Sequence, residues 1–167
     1  MNLGVVLPTV ELGSDPAIIR EYAQTAQELG YTHLVIQDHV LGVDTAVHVG
    51  WTRPYTNKTL TPDPFIQSAF LSSAVPGMEL VTGVVVITQR QTVLVAKQAA
   101  EVDILTGGNF RLGVGLGWNK VEYDALGEDF TNRGVRSEEQ VELMRALWTQ
   151  QSVTFDGKWH HIDAAGI

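Results

Sequence analysis

His39 directly follows Asp38 where the apolar run THLVIQD ends. An imidazole beside a carboxylate can move a proton at neutral pH, because histidine titrates there and the carboxylate orients it or raises its pKa. On residue type alone a second use stands beside this one: Asp38 capping the following loop, with His39 a polar strand end. The other concentration of suggestive residues is NFRLGVGLGWNKVEYDALG, Asn109 to Gly127, where Gly113, Gly115, Gly117 and Gly127 surround Trp118 and Asn119. A dinucleotide fingerprint needs GxGxxG opening a helix. Counted from Gly113 the third glycine position holds Trp118, and counted from Gly115 it holds Lys120, so the pattern fails in both registers. His160 and His161 are neighbours on what reads as a strand and point to opposite faces, while His33 and His48 lack partners at ligand spacing, so no metal site is expected. GxSxG, Walker and HExxH patterns are absent.

The elements that must carry these groups follow from periodicity. LGVVLP is a continuous apolar run of the kind found in a strand buried on both faces. Asp15 and Pro16 open a helix with a stripe at Ile18, Tyr22, Ala26 and Leu29, and Gly30 stops it. THLVIQD repeats the strand pattern and leads into a long polar loop from His39 to about Thr61; Asp63 to Ala74 reads as a helix. ELVTGVVVI is a third strand, Thr92 to Leu105 a third helix ended by TGG, and FRLGVGL a fourth strand. A short segment, Lys120 to Leu126, with Asn119 as its cap, precedes a last helix. There Ser137 and Gln140 suggest a capping box, and Val141, Met144, Leu147 and Trp148 form the stripe. FDGK reads as a hairpin turn. Arg133 and Arg136 have Glu138 and Glu139 within helical reach, which favours local ion pairs.

Four βα units in succession imply a parallel α/β sheet. The first turn, LPTVELGSD, lacks the glycines of an open doubly wound sheet. A (β/α)8 barrel suits the glycines of GVGLG better, since small residues there relieve crowding or admit a ligand at a strand end. Only four of the eight units are present in 167 residues. One domain, 1–167, is expected. A net charge of −8 without a Lys/Arg cluster argues against nucleic-acid or acidic-membrane partners. No apolar stretch approaches a membrane span, MNLGVVLPTVELG does not read as a signal peptide, and the lack of cysteine fits a reducing cytoplasm.

Asp38–His39, Thr82-Gly83-Val84, RLGVGLGW and the block NRGVRSEEQVELMRALWTQQSVTFDGKWHHID, in that order, resemble the bacterial-luciferase-like monooxygenase family. QDHVLG is most similar to the branch using the deazaflavin coenzyme F420. The resemblance implies a (β/α)8 barrel of which this chain supplies the N-terminal half. It also implies a cofactor, F420 with FMN as the alternative, and hydride transfer to or from a small organic molecule, or oxygen activation with a true flavin.

Residue by residue, the resemblance implies Asp38 and His39 as the catalytic pair near the reactive ring, and a non-prolyl cis peptide at Gly83–Val84, after Thr82, backing that ring. It implies Gly115, Leu116, Gly117 and Trp118 beside the ring and phosphate arm, with Glu122 slightly beyond. The aromatic that follows the Asp-His pair in the family's sugar-phosphate dehydrogenases is missing from DHVLGVD, which speaks against such a substrate. The bland uses remain: Gly83 as a plain strand glycine, Trp118 as core at the barrel mouth. A half-barrel also needs its inward apolar faces covered, by a second copy in a homo-oligomer or by a C-terminal half, and a non-catalytic flavin-binding or self-associating half-barrel stays open.

Overall fold

The structure, a computed structural model, describes residues 1–167. In chain order the elements are β1 (Gly4–Val6), α1 (Thr9–Leu12), α2 (Pro16–Glu28), β2 (His33–Ile36), α3 (Pro64–Ser72), β3 (Glu79–Thr82), β4 (Val85–Val86), α4 (Thr92–Leu105), β5 (Phe110–Arg111), β6 (Val114–Gly115), α5 (Lys120–Leu126), α6 (Arg133–Thr149), β7 (Val153–Asp156) and β8 (His161–Ala165). A 3-10 turn occupies Ile87–Gln89. Two compact units result: Met1–Val85 with Val102–Gly113, and Val86–Glu101 with Val114–Ile167.

The first unit is a parallel sheet in the order β1-β2-β3-β5, with Val5 opposite Leu34, Leu34 opposite Leu80 and Leu80 opposite Phe110. Alternation in β2 and β3 sends Leu34, Ile36 and Leu80 into a core with Ile19, Leu71 and Val75, while Val35 and Val81 stay half-buried. Reading the first run as buried on both faces therefore needs correction: β1 is an edge strand and Val6 remains 45% exposed. Asp15 caps α2 as expected, its carboxylate accepting from the Ala17 N–H at 2.8 Å. Of the expected α2 stripe Ala26 is buried, but Ile19 and Ala23 take the places read for Ile18 and Tyr22, and Ile18 and Leu29 are exposed. Alanines let the helix lie close on the sheet, and Tyr22 is left at the rim, where its hydroxyl donates to the Val6 carbonyl at 3.2 Å. Asp63 caps α3 by accepting from the Phe65 and Ile66 N–H groups.

Two expected strands are each broken in two. ELVTGVVVI pairs in the main sheet only to Thr82, then turns through a cis Gly83–Val84 peptide into β4 and the 3-10 turn. FRLGVGL divides into β5, in the main sheet, and β6, paired with β4.

In the second unit α6 begins at Arg133, a turn before the expected capping box. Gln140 does not reach back to Ser137. Its side chain is buried, and Nε2 donates to the carbonyls of Ile87 and Arg90 and to Thr92 Oγ1, at 3.1, 3.4 and 2.9 Å. Ser137 Oγ donates instead to the Gly134 carbonyl at 2.6 Å. Leu143, Met144 and Leu147 bury the helix face, and the half-exposed Trp148 donates Nε1–H to the Ala96 carbonyl at 2.9 Å. β7 and β8 form the expected hairpin, with Asp156 opposite His161.

Candidate functional site

Parallel strands leave the sheet of the first unit at one common edge, where barrels of this type carry their functional groups. At this edge β1 exits through Leu7 and Pro8, β2 through Gln37, Asp38 and His39, and β3 through Gly83 and Val84. Asp38 is buried, 4% exposed, and His39 is half-buried with its ring stacked on Tyr55, centroids 3.7 Å apart and planes inclined by 27°. The His39 carbonyl accepts from Thr61 Oγ1 at 3.0 Å, which ties the far end of the long loop to the strand exit. A cavity of about 430 Å³ opens between the β1 exit and the long loop, lined by Leu7, Pro8, Glu11, Gln37, Tyr55 and Thr56 among others but not by Asp38, His39, Gly83 or Val84.

Thr82, the last residue of β3, is buried and bonded reciprocally to one glycine: Oγ1 donates to the Gly113 carbonyl at 2.8 Å and accepts from the Gly113 N–H at 2.9 Å. Its hydroxyl proton is therefore committed to strand geometry. Gly83 and Val84, by contrast, present exposed backbone and side chain immediately beyond it. Their peptide is cis, the geometry expected from the resemblance. Gly83 N–H donates to the Ile36 carbonyl at 2.7 Å, which joins this segment to the β2 exit.

Gly115, Leu116, Gly117, Trp118 and Glu122 belong to the second unit. Gly117 adopts φ of +66°, and a Cβ there would stand 2.7 Å from Val86 Cγ1, so both backbone conformation and space demand glycine. The Leu116 carbonyl accepts from Tyr123 Oη and, at 3.4 Å, from Thr88 Oγ1, which fixes the turn from below. Burial pushes the Tyr123 hydroxyl pKa upward, so it stays a proton donor. Leu116 and Trp118 stand partly exposed above this support. Asn119 caps α5, its Oδ1 accepting from the Val121 N–H at 3.1 Å. Glu122 is buried and accepts from Gln89 Nε2 at 3.1 Å.

Arg133 and Arg136 do not pair with Glu138 and Glu139. Arg136 meets Glu128 and donates to the Thr88 carbonyl; Arg133 donates to the Phe130 carbonyl at 2.7 Å and lies 3.7 Å over the Phe130 ring. Glu139 is engaged elsewhere. It accepts from the backbone N–H groups of Lys158, Trp159 and His160 and from the His160 ring at 2.7 Å. Burial pushes its carboxyl upward, but the His160 bond and these three N–H donors outweigh that and hold it below the ordinary glutamate range. His160 Nε2 lies 2.6 Å from Thr92 Oγ1, whereas His161 contacts Asp156 on the other face.

Sequence reasoning missed two features. One is Tyr55, an aromatic in a polar loop with no periodicity to mark it. The other is a cavity of about 900 Å³ in the second unit, lined by Arg90, Thr92, Gln140 and His160 among others and by none of the expected site residues. No three His, Asp or Glu side chains converge as metal ligands, and no helix is long and apolar enough to cross a membrane.

The model of the luciferase-like monooxygenase family matches residues 1–166. An uncharacterized protein of Mycobacterium tuberculosis is 29% identical over 167 residues, covering 95% of this chain and 57% of its own. The FMNH2-dependent dimethylsulfone monooxygenase of Pseudomonas fluorescens is 37% identical over 76 residues, 44% of this chain and 21% of its own. Among solved structures, an F420-dependent secondary alcohol dehydrogenase in complex with an F420–acetone adduct superposes with a TM-score of 0.78 at 21% identity, covering 99% of this chain and 47% of its own. That identity establishes fold alone, and the fold is α/β of the (β/α)8 barrel type. The chain spans about half the length of the curated relatives and solved structures it matches across nearly its whole length. With the parallel βα order of the first unit and a family match running from its first residue to its penultimate one, the chain belongs to the luciferase-like monooxygenase family.

Proposed function

We propose that this chain is the N-terminal half-barrel, one domain over 1–167, of an F420-dependent oxidoreductase that transfers a hydride to or from a small organic substrate. The observation that carries the reading is the Asp38–His39 pair at the common strand edge, beside the exposed Gly83–Val84 backbone, with a cavity of about 430 Å³ lined by its neighbours Gln37 and Tyr55. A flat tricyclic ring needs an open backbone edge to lie against and a group that handles protons; this edge offers both. When bound, the deazaflavin supplies hydride chemistry at its C5. His39 gives or takes the substrate's proton, Asp38 holds the imidazole in orientation from its buried position, and Thr82 keeps Gly83 and Val84 in place through Gly113. The Gly115–Trp118 turn is proposed as further cofactor contact, with Glu122 behind it. The cytoplasm, with no nucleic-acid or membrane partner, is the proposed setting.

FMN is the second reading, supported by the FMNH2-dependent relative. With it the reaction becomes oxygen activation on the same residues. Titration of the purified protein with F420 and, separately, FMN tests both: a saturable spectral change with F420 and turnover of its reduced form support the first, and binding of FMN alone supports the second. Absence of both leaves the self-associating half-barrel.

A further inference from the structure

The proton-handling role of His39 requires its imidazole to be held in one plane, and we infer that Tyr55 is the positioning residue that holds it. The inference rests on the functional reading just given. A histidine ring turns about a broad terminal torsion, so position along the backbone does not fix which way its nitrogens point. Stacking does. The Tyr55 ring lies 3.7 Å from that of His39 at 27°. Hydrogen bonds to imidazole lie in the ring plane, so contact on the face restrains the ring without competing for its nitrogens. The same tyrosine donates its hydroxyl to Gln37 Oε1 at 3.3 Å, so one side chain grips the strand exit on both sides of Asp38.

The loop is built to deliver this ring. Tyr55 has φ of +68°, a left-handed conformation that is an outlier for a bulky side chain and needs enforcing surroundings. Enforcement comes from the buried Val43. Its N–H donates to the Tyr55 carbonyl at 3.1 Å, and its carbonyl accepts from the Asn57 N–H at 3.0 Å, so the backbone is clamped on both sides of Thr56. The clamp depends on Gly42, where a Cβ would fall 1.9 Å from the Thr56 carbonyl oxygen. Thr59 Oγ1 accepts from the Thr56 N–H at 3.1 Å, and Thr61 returns the loop to the His39 carbonyl. A tight, self-bonded loop that ends by placing a phenol on the face of His39 acts as a positioning device for that ring, because small misplacement of a reacting group costs rate steeply.

The test reads the ring directly. In the wild-type protein, the His39 ring protons, assigned with His39→Gln, are expected upfield of a free histidine and to show nuclear Overhauser contacts to the Tyr55 ring. Tyr55→Leu should return them to ordinary positions, and Tyr55→Phe should restore the upfield shift. Turnover follows: Tyr55→Leu lowers kcat at least about tenfold with cofactor Kd unchanged, and Tyr55→Phe recovers most of that loss. An unshifted His39 ring in the wild type, or an unchanged kcat in a folded Leu variant, overturns the inference. If the Leu variant does not fold, the wild-type Overhauser contact decides. If the wild type binds neither F420 nor FMN, the functional reading falls, and the ring-proton comparison still decides whether Tyr55 holds His39.

Discussion

At the scale of single residues, the difference between a proton carrier and a polar strand end lies in what surrounds His39. Asp38 is buried next to it, and an aromatic face restrains its ring. Removing the imidazole should therefore remove chemistry and little else: His39→Ala is expected to lower turnover at least about a hundredfold, the lower end of what positioned acid or base groups contribute. Thermal unfolding of the same variant should shift by only a few degrees, since the ring is half-buried and aromatic pairs contribute about 0.5–1.5 kcal/mol. Unaltered rates would end the assignment.

At the scale of elements, one carboxylate of α6, Glu139, gathers the hydrogen bonds that tie the turn of the β7–β8 hairpin to that helix. Glu139 gathers three backbone N–H groups and the His160 ring, which lower its pKa relative to an unfolded glutamate near 4.3. A depressed carboxyl contributes stability that is fully present above the unfolded value and is lost as pH falls through the folded one. Glu139→Gln should thus be less stable than the wild type at neutral pH by about 1.5–3 kcal/mol, the range for hydrogen bonds to a charged group. The gap should close as pH drops below about 4. Denaturant melts of both proteins between pH 3 and 7 measure it, and a gap independent of pH would show that the carboxylate's charge plays no part.

At the scale of the whole molecule, the parallel sheet of the first unit ends at β1 and β5, and Val6 and Val84 stay 45% and 40% exposed. Closing a barrel with a packed interior takes about eight strands, and open edges carrying apolar residues invite association. Completion is proposed to come from a second copy of this chain or from a C-terminal half. Expressed as these 167 residues, the protein should scatter light as a dimer while its intact mass stays near 18.3 kDa. A folded species that is strictly monomeric at that mass would count against completion by a second copy and against cofactor binding by this chain alone.

The amino-acid sequence by itself determined the βα order, the Asp15 and Asn119 caps, the hairpin at FDGK and the position of Asp38–His39 at a strand end. Each of these is written in neighbouring residues, as a local hydrogen bond or an apolar period. What it could not determine depends on partners far along the chain. On α2, Ile19 and Ala23 are buried beside Ala26 in place of Ile18 and Tyr22, because the sheet takes the face that the small Ala23 shares with Ala26. Gln140 left the expected capping box because three acceptors at Ile87, Arg90 and Thr92 compete for it, and Glu139 left Arg133 and Arg136 because the hairpin offers four donors at once. Tyr55 shows the limit most plainly: sixteen residues beyond His39, in a loop without periodicity, it meets that ring only because Val43 and Gly42 bend the chain back, and such long-range closure leaves no local pattern to read.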